Sequence, residues 1–329
     1  MAALESVAIQ IHRHGGPEVL VSASVSVPDP GPGELRIRQS AIGLNFADIY
    51  QRKGAAGPHK TEHFPEIPGS QGAGIVESVG PGVSGFAPGD SIAYVHPGAY
   101  CSVRLVPAER AVPLPAVLTL ETAAATLLRG MTAEYLLHRL YPVRAGDTIL
   151  VHAAAGGMGQ ILSSWAKALG ATVIGTVGTP AKVALARAAG CDHVIDYSAD
   201  NFVEAVASIT AGQGVEVVYD AVGRSVFMDS LQCLKPRGMA INYGTASGDV
   251  EGLALQTLHA KSLIVTRPTL RSYIATREDL LASAACFADA VGRGWVSADI
   301  SHRYALAEVQ QAHRDLEGRR TAGATILIP

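Results

Sequence analysis

Residues 148–178, TILVHAAAGGMGQILSSWAKALGATVIGTVG, constrain the fold more than any other stretch of this 329-residue chain. They open on an apolar, β-rich run at 148–153, the pattern of a parallel strand buried on both faces. A glycine-bearing turn, an amphipathic helix and a second β-rich run at 172–177 follow. Strand, turn, helix and strand in that order predict a βαβ unit. The turn reads Ala154-x-Gly156-x-x-Gly159, the dinucleotide-binding spacing with Ala in place of the first Gly. Gly156 would let a pyrophosphate approach the backbone, and Gly159 would let the helix pack close to the strand. Gly157 and Met158 then stand at the helix start, where free N–H groups and the positive dipole end favour phosphate. The spacing alone is a weak signal; the flanking strands and helix make it specific.

The end of the second strand selects the dinucleotide. An NAD site places Asp or Glu about 20 residues after the glycines, on the ribose 2′-OH. Here residues 175–182 read GTVGTPAK, with no acid and one Lys. A carboxylate would repel a 2′-phosphate, whereas Gly178 leaves room and Lys182 offers charge. Lys182 alone reads equally well as a solvated helix residue, so the missing acid carries the inference. The expected cofactor is NADPH.

Composition acts as a filter on other classes. The length allows two domains with substantial cores, and 48% hydrophobic with 17% charged residues is ordinary for a globular protein. A formal charge of −3 gives no electrostatic reason to expect nucleic-acid binding. The four cysteines lie far apart without a CxxC pair, against a disulfide framework or structural zinc. Residues 148–166 carry no charge, but their three glycines, His152 and Gln160 speak against a membrane span. The first twenty residues lack a secretory pattern, so a cytoplasmic location is the default expectation.

Two territories follow along the chain. Residues 1–125 carry short strand candidates (35–41, 75–79, 91–94) between Gly/Pro turns, which predicts a small, strongly bent β-domain. A helix is expected over 121–138. Strands are then expected at 148–153, 172–177, 193–196, 215–220, 240–243 and 263–266, with helices between most of them. Helices at 276–292 and 306–317 precede a terminal strand at 324–328, expected to return to the first domain.

Further motifs occur in order: HRHGGPEVL (12–20), GLNFADIY (43–50), PGSQGAGIVESVG (68–80), GMTAEYLL (130–137), HAAAGGMGQ (152–160), VYDAVG (218–223) and TRPTL (266–270). With these the chain resembles, over nearly its whole length, the quinone oxidoreductases of the zinc-independent medium-chain dehydrogenase/reductase superfamily, the group that includes zeta-crystallin. NFADIY and TRPTL narrow the resemblance to that branch. The resemblance implies an α/β fold: a Rossmann doubly wound parallel sheet over 126–269, and a GroES-like, mainly β catalytic domain from 1–125 and 270–329. It also implies NADPH in a cleft between them and a homodimer through the Rossmann edge strand near 258–266. Zinc-dependent relatives carry Cys where this chain has Asn45 and His where it has Gln71. An amide replaces neither thiolate nor imidazole as a zinc ligand, so no catalytic metal is expected.

The resemblance places Gly178, Lys182 and Tyr197 around the adenosine 2′-phosphate, with Arg319 as a further phosphate ligand and Arg320 beside it as a substitute. Asn242, Tyr243 and Gly244 follow a strand and would offer backbone groups to the ribose or nicotinamide. Thr132 and Asn45 would sit near the nicotinamide end, and Arg267 on the crossover to the catalytic domain. Two departures bear on the acceptor. Gln71 stands where this branch usually has Glu. The stretch 54–65 is longer than expected and lacks the aromatic often found there.

The expected reaction is reduction of a quinone or another electron-poor conjugated carbonyl by NADPH. Asn45 could donate its amide N–H2 to a carbonyl and Tyr50 its phenol proton; these are the catalytic candidates. The plain alternatives are a helix cap for Asn45 and a packed aromatic for Tyr50. His152 precedes the glycine turn and is read as a packed strand residue, and Asp48 as a helix-start hydrogen-bonding group. Residue types leave one- versus two-electron transfer open. Two other functions fit the same residues: an NADPH-dependent enone or alkenal reductase, and a non-enzymatic NADPH-binding protein, crystallin-like or RNA-binding.

Overall fold

The structure, a computed structural model, describes residues 4–54 and 63–329. Its chain divides into two compact units. The first holds the described residues up to Gly130 with Thr276–Gly292 and Ala298–Pro329; the second holds Met131–Ala275 with Arg293–Ser297.

In the second unit six parallel strands lie in the order His193–Asp196, Thr172–Val177, Thr148–Val151, Val215–Asp220, Leu234–Asn242 and Ile264–Thr266. In chain order this is 3-2-1-4-5-6, a doubly wound sheet that reverses direction between Thr148–Val151 and Val215–Asp220. Ligands of such sheets bind outside the carboxyl ends of the strands at that reversal. Helices cover both faces of a sheet like this, so its central strands are apolar throughout: Ile149, Leu150, Val151, Val217, Val218 and Tyr219 are all buried. Helix Gly157–Ala168 seats Ile161, Leu162, Trp165 and Ala166 on the sheet, a stripe at helical spacing.

The first unit folds around one long bent strand, Glu34–Leu44. One edge pairs with Gln71–Val79, which continues to Ser91–Val95 and Ala111–Pro113. The other edge pairs first with Val103–Pro107 and then, from Ile42 to Leu44, with Ala324–Ile328. Register shifts between Arg36 and Ile37 and between Gln39 and Ala41 bend the strand. Ala324–Ile328 is thus the expected return of the chain terminus, and Ile300–Ala305 pairs with it in parallel. The core gathers Ile9, Leu35, Ile37, Ile42, Leu44, Tyr94, Tyr100, Val106 and Leu327.

Several expectations shift. The strand expected at 148–153 ends at Val151, because Ala153 adopts a left-handed φ of +54° and turns the chain. The helix expected to 138 is regular only over Leu120–Glu134 and widens to a π-helical turn at Tyr135–Leu140. There the Leu136 carbonyl accepts from both the Tyr141 N–H (3.3 Å) and the Tyr219 hydroxyl (3.2 Å), so an inserted side chain opens the ladder. The hairpin Leu4–Gln10/Val21–Val27 was not anticipated, nor were strands Val103–Pro107 and Ile300–Ala305. Among the described residues no helix is long and apolar enough to cross a membrane.

Candidate active-site residues in each unit

In the second unit the glycine turn sits at the carboxyl end of Thr148–Val151, beside the strand reversal. Gly156 precedes the first helical residue, Gly157, and Met158 and Gly159 complete the first turn. A Cβ on Gly159 would lie 2.4 Å from the Ala153 carbonyl oxygen and 2.7 Å from Ala154 Cα. Only glycine lets helix and strand approach this closely. A Cβ on Gly156 would meet nothing nearer than the Ala153 oxygen at 3.2 Å, so its outward side is open. Ala154 is tolerated in the first fingerprint position for two reasons. The left-handed residue is Ala153, one place earlier, and Gly175 on the next strand clears space for the Ala154 methyl (2.8 Å from a Cβ there).

His152 lies beneath this turn, fully buried. Ser230 Oγ donates to the Val226 carbonyl (2.6 Å), so it accepts from His152 Nε2–H (2.8 Å), and His152 Nδ1 accepts from Thr176 Oγ1 (2.9 Å). Burial pushes its pKa down to about 3, so the ring is neutral. The ring also packs edge-on against Phe202, in keeping with the expected structural role.

At the end of Thr172–Val177, a Cβ on Gly178 would lie 2.7 Å from Tyr197 Oη, so the tyrosine ring occupies the side-chain space that glycine leaves. Lys182 ends the short turn Pro180–Lys182 and is half-buried. Asp196, the nearest acid in sequence to Tyr197, has Oδ1 engaged by the Ser198 N–H and hydroxyl. Farther along the sheet, Asn242 Nδ2 donates to Asp220 Oδ2 (2.9 Å) and the Gly244 carbonyl (2.8 Å), while Asn242 Oδ1 accepts from Arg267 Nη1. Asp220 Oδ1 also accepts from the Val222 and Gly223 N–H groups, and Asp220 O from the Tyr243 N–H (2.8 Å). The side chains of Asn242 and Arg267 therefore brace the loop that carries Tyr243 and Gly244. Thr132 lies buried on helix Leu120–Glu134.

In the first unit Asn45 directly follows strand Glu34–Leu44 and starts helix Phe46–Lys53. Its backbone N–H donates to Asp48 Oδ2 (2.9 Å), half of a capping box, and Gly54 closes the helix at φ +67°. Arg129 Nε–H donates to Asn45 Oδ1 at 3.1 Å, which leaves Asn45 Nδ2 buried and without a partner among the described residues. The residue is only 5% exposed. A buried donor left unmade costs about 1–3 kcal/mol, a cost natural chains retain where a ligand completes the bond. Tyr50 stands half-exposed on the same helix beside Phe46, ring centroids 5.9 Å apart.

Asp48 anchors a buried polar chain behind the helix. It accepts from Ser70 Oγ (3.0 Å) and Tyr100 Oη (3.0 Å) as well as from Asn45. His313 Nε2–H donates to Tyr100 Oη (3.0 Å), because Arg52 Nη1 donates to its Nδ1 (3.3 Å) and a guanidinium cannot accept. Arg52 in turn pairs with Glu317 (2.7 Å). Burial raises Asp48 to about 6, opposed by these hydrogen bonds and the Arg129 charge. Burial lowers His313 to about 3, with Arg52 adding to the shift. Asp48 thus takes the hydrogen-bonding role expected of it.

Gln71 is not open to the acceptor through its oxygen: Oε1 accepts from the Leu128 N–H (2.8 Å) inside helix Leu120–Glu134. Arg319, with φ +57°, follows helix Val309–Glu317, and Arg320 is tied back to Asp315 (2.7 Å). Residues 55–62 of the stretch read as lengthened lie outside the described residues; Phe64 beyond them packs edge-on against His14, 5.1 Å away. Sequence reasoning missed Arg129, although a lone arginine in the apolar run AAATLLRGMTA is a signal of a buried, partnered charge.

Residues 31–144 match the alcohol dehydrogenase GroES-like domain family and residues 157–288 the zinc-binding dehydrogenase family. A quinone oxidoreductase of Pseudomonas aeruginosa is 46% identical over 324 residues, 98% of this chain and 99% of that one. A 2-haloacrylate reductase of a Burkholderia species is 44% identical over 325 residues, 97% of this chain and 98% of that one. The crystal structure of Escherichia coli quinone oxidoreductase complexed with NADPH superposes with a TM-score of 0.94 at 43% identity, covering 98% of this chain and 100% of that one.

Proposed function

We propose an activity on the ground that this chain belongs to the quinone oxidoreductase family of the medium-chain dehydrogenases/reductases. The chain is an NADPH-dependent oxidoreductase that reduces a quinone. NADPH, when bound, would supply a hydride; with one proton, given by the Tyr50 phenol and replaced from solvent, the quinone would become a hydroquinone and NADP+ would be left. The glycine turn fits that group, since Gly159 lets the helix pack close to the strand and Gly156 leaves the outward side of the helix start open. Gly178, Tyr197 and Lys182 receive the 2′-phosphate, Tyr243 and Gly244 the nicotinamide side, and Thr132 the nicotinamide itself. Arg319 is the further phosphate ligand, with Arg320 beside it as its substitute.

A catalytic zinc does not fit these residues. The amide oxygens of Asn45 and Gln71 are taken by Arg129 and Leu128, and a guanidinium at 3.1 Å opposes a second cation. Among the described residues no group of three or more His, Cys, Asp or Glu could hold a metal. Charge on the acceptor oxygen falls instead to hydrogen-bond donors. Asn45 Nδ2 is that donor, and Tyr50 returns a proton. The unpartnered amide of Asn45 is the observation that carries this reading.

The test is the initial rate of NADPH oxidation across quinones and enones, with NADH as control. Fast NADPH-selective turnover with quinones supports the reading; tight NADPH binding without turnover of any acceptor overturns it in favour of a binding protein. The haloacrylate-reducing relative at 44% identity favours a second reading, reduction of conjugated carbonyls, so 2-chloroacrylate belongs in the panel. Asn45→Ala should lower quinone kcat/KM by roughly 10–100-fold with NADPH affinity unchanged. Loss of NADPH binding instead would place Asn45 on the cofactor.

The chain also forms a homodimer through the Ile264–Thr266 edge. That strand ends the sheet, Ile264 is 48% exposed, and Leu255 on the preceding helix is 83% exposed. Ile264→Arg should shift the sedimentation coefficient to that of a monomer; an unchanged dimer would move the interface elsewhere.

A further inference from the structure

We propose that Arg129 is a positioning residue for acceptor reduction: it locks the Asn45 amide with its N–H2 turned away from the guanidinium, and its charge strengthens that donor. This rests on the reading that Asn45 donates to the acceptor oxygen.

An asparagine amide has two ends, and only one can donate. A guanidinium carries donors alone, so whatever end of the amide meets Arg129 Nε must be the oxygen. The contact at 3.1 Å therefore fixes the flip of Asn45 by chemistry. Nδ2 then lies on the opposite side, buried and unpartnered among the described residues, which is what a donor awaiting an oxygen requires.

Arg129 is itself held by main chain. Nη2 donates to the Leu44 carbonyl (2.9 Å), at the end of Glu34–Leu44, and Nη1 to the Gly323 carbonyl (3.5 Å), just before Ala324–Ile328. Both carbonyls belong to the two strands that pair beside Asn45, Thr325 standing opposite Leu44. The amide is thus positioned from the sheet through one planar, three-way contact, a geometry lysine's single ammonium does not reproduce.

Its charge has a second effect. Burial lowers Arg129 to about 10, so it stays cationic at neutral pH. The carboxylate of Asp48 is shared among Asn45 N–H, Ser70 and Tyr100. A cation behind the amide oxygen polarises the amide toward its N–H2 and favours negative charge forming on the acceptor oxygen in front of it.

The experiment uses the full-length NADPH-loaded protein with a series of substituted 1,4-benzoquinones of graded reduction potential. Arg129→Met should lower kcat/KM for the quinones by roughly 10-fold or more, with NADPH affinity within about two-fold. It should also steepen the dependence of log rate on quinone potential, as Asn45→Ala should, because weakly electron-accepting quinones need the lost stabilisation most. The double variant should be no slower than Asn45→Ala alone. Losses that add in the double variant overturn the proposal, as does a thermally weakened Arg129→Met with unchanged rates and slope. If Asn45→Ala leaves quinone rates intact, the reading of Asn45 itself has failed. Should Arg129→Met not fold, Arg129→Lys carries the same test: it keeps the charge but not the three-way contact. A slowed enzyme with unchanged NADPH affinity supports positioning, and wild-type rates overturn it.

Discussion

The glycine turn Ala153–Gly159 and the strand-to-helix junction at Asn45 place polar groups in different ways. At the turn the groups assigned to phosphate are backbone N–H donors, and glycines shape their surroundings: Gly159 has no room for a Cβ, which seats the helix on the strand, and Gly156 leaves its outer side open. At the junction the group assigned to the acceptor is a side-chain amide: Arg129, far away in sequence, holds its oxygen, and Asp48, three residues on, holds the backbone N–H of the same residue with Tyr100 and His313 behind it. Recognition by backbone writes itself into spacing. Recognition by a braced side chain spreads over the chain and leaves no spacing to read.

Each region rests on a buried neutral histidine, and this gives the largest expected effect. His152 under the turn and His313 behind the junction are both held near pKa 3 against about 6.5 when unfolded. The unfolded chain therefore binds more protons between those values, and stability is full above pH 6.5 and lost as pH falls toward 3. Asp48 acts in the opposite sense: held near 6, it binds its proton earlier in the folded state, so it offsets part of the loss below pH 6. From these three groups the net loss between pH 7 and pH 4 is roughly 4 kcal/mol. Urea unfolding at pH 7, 5.5 and 4 measures it. His152→Asn and His313→Gln should each flatten the pH dependence by a similar amount; a variant that flattens nothing would mean its histidine is solvated, and the two regions would not be alike in this respect.

The next largest effect separates the regions. Gly159→Val pushes a side chain into the Ala153 carbonyl and should cost about 3 kcal/mol, since no flexible neighbour can yield. Calorimetry and NADPH titration should fall together, because the same atoms pack the helix and present its N–H groups. A variant that keeps its melting temperature and its NADPH affinity would break the claim that fold and site coincide here.

This difference explains how far the sequence could be read. Strands Thr172–Val177 and Val215–Asp220 were legible to the residue because a sheet covered on both faces gives nearly continuous apolar runs, and the edge strand His193–Asp196 was legible from its place in the alternation of strand and helix. Strand Leu234–Asn242 was recognised only at its end, since LKPRGM carries polar residues on its exposed opening turn. In the first unit, Val103–Pro107 and Ile300–Ala305 were missed: VRLVP is a short run closed by proline, and ISHRYA alternates only between half-buried and exposed positions, with His302 where an apolar residue would mark the pattern. Asn45 was legible from its motif, but its partner Arg129, 84 positions away, was not. Arg267 was read from the resemblance as a cofactor residue; the fold adds that its Nη1 donates to Asn242 Oδ1.

The smallest effect tests whether a side chain also matters at the backbone-built site. Lys182→Ala removes a half-buried lysine from the end of Pro180–Lys182, four positions after Gly178. A charge-assisted contact to a 2′-phosphate, discounted for solvent screening, is worth about 1 kcal/mol, so NADPH should bind roughly five-fold more weakly. NADH, which has no 2′-phosphate, should be unaffected. The loss should also shrink in high salt, as a screened interaction must. Equal losses for the two dinucleotides would mean that Lys182 props up the turn rather than reading the phosphate. Preference for NADPH would then rest on Gly178 and on the Tyr197 ring packed against it, with no lysine at the phosphate.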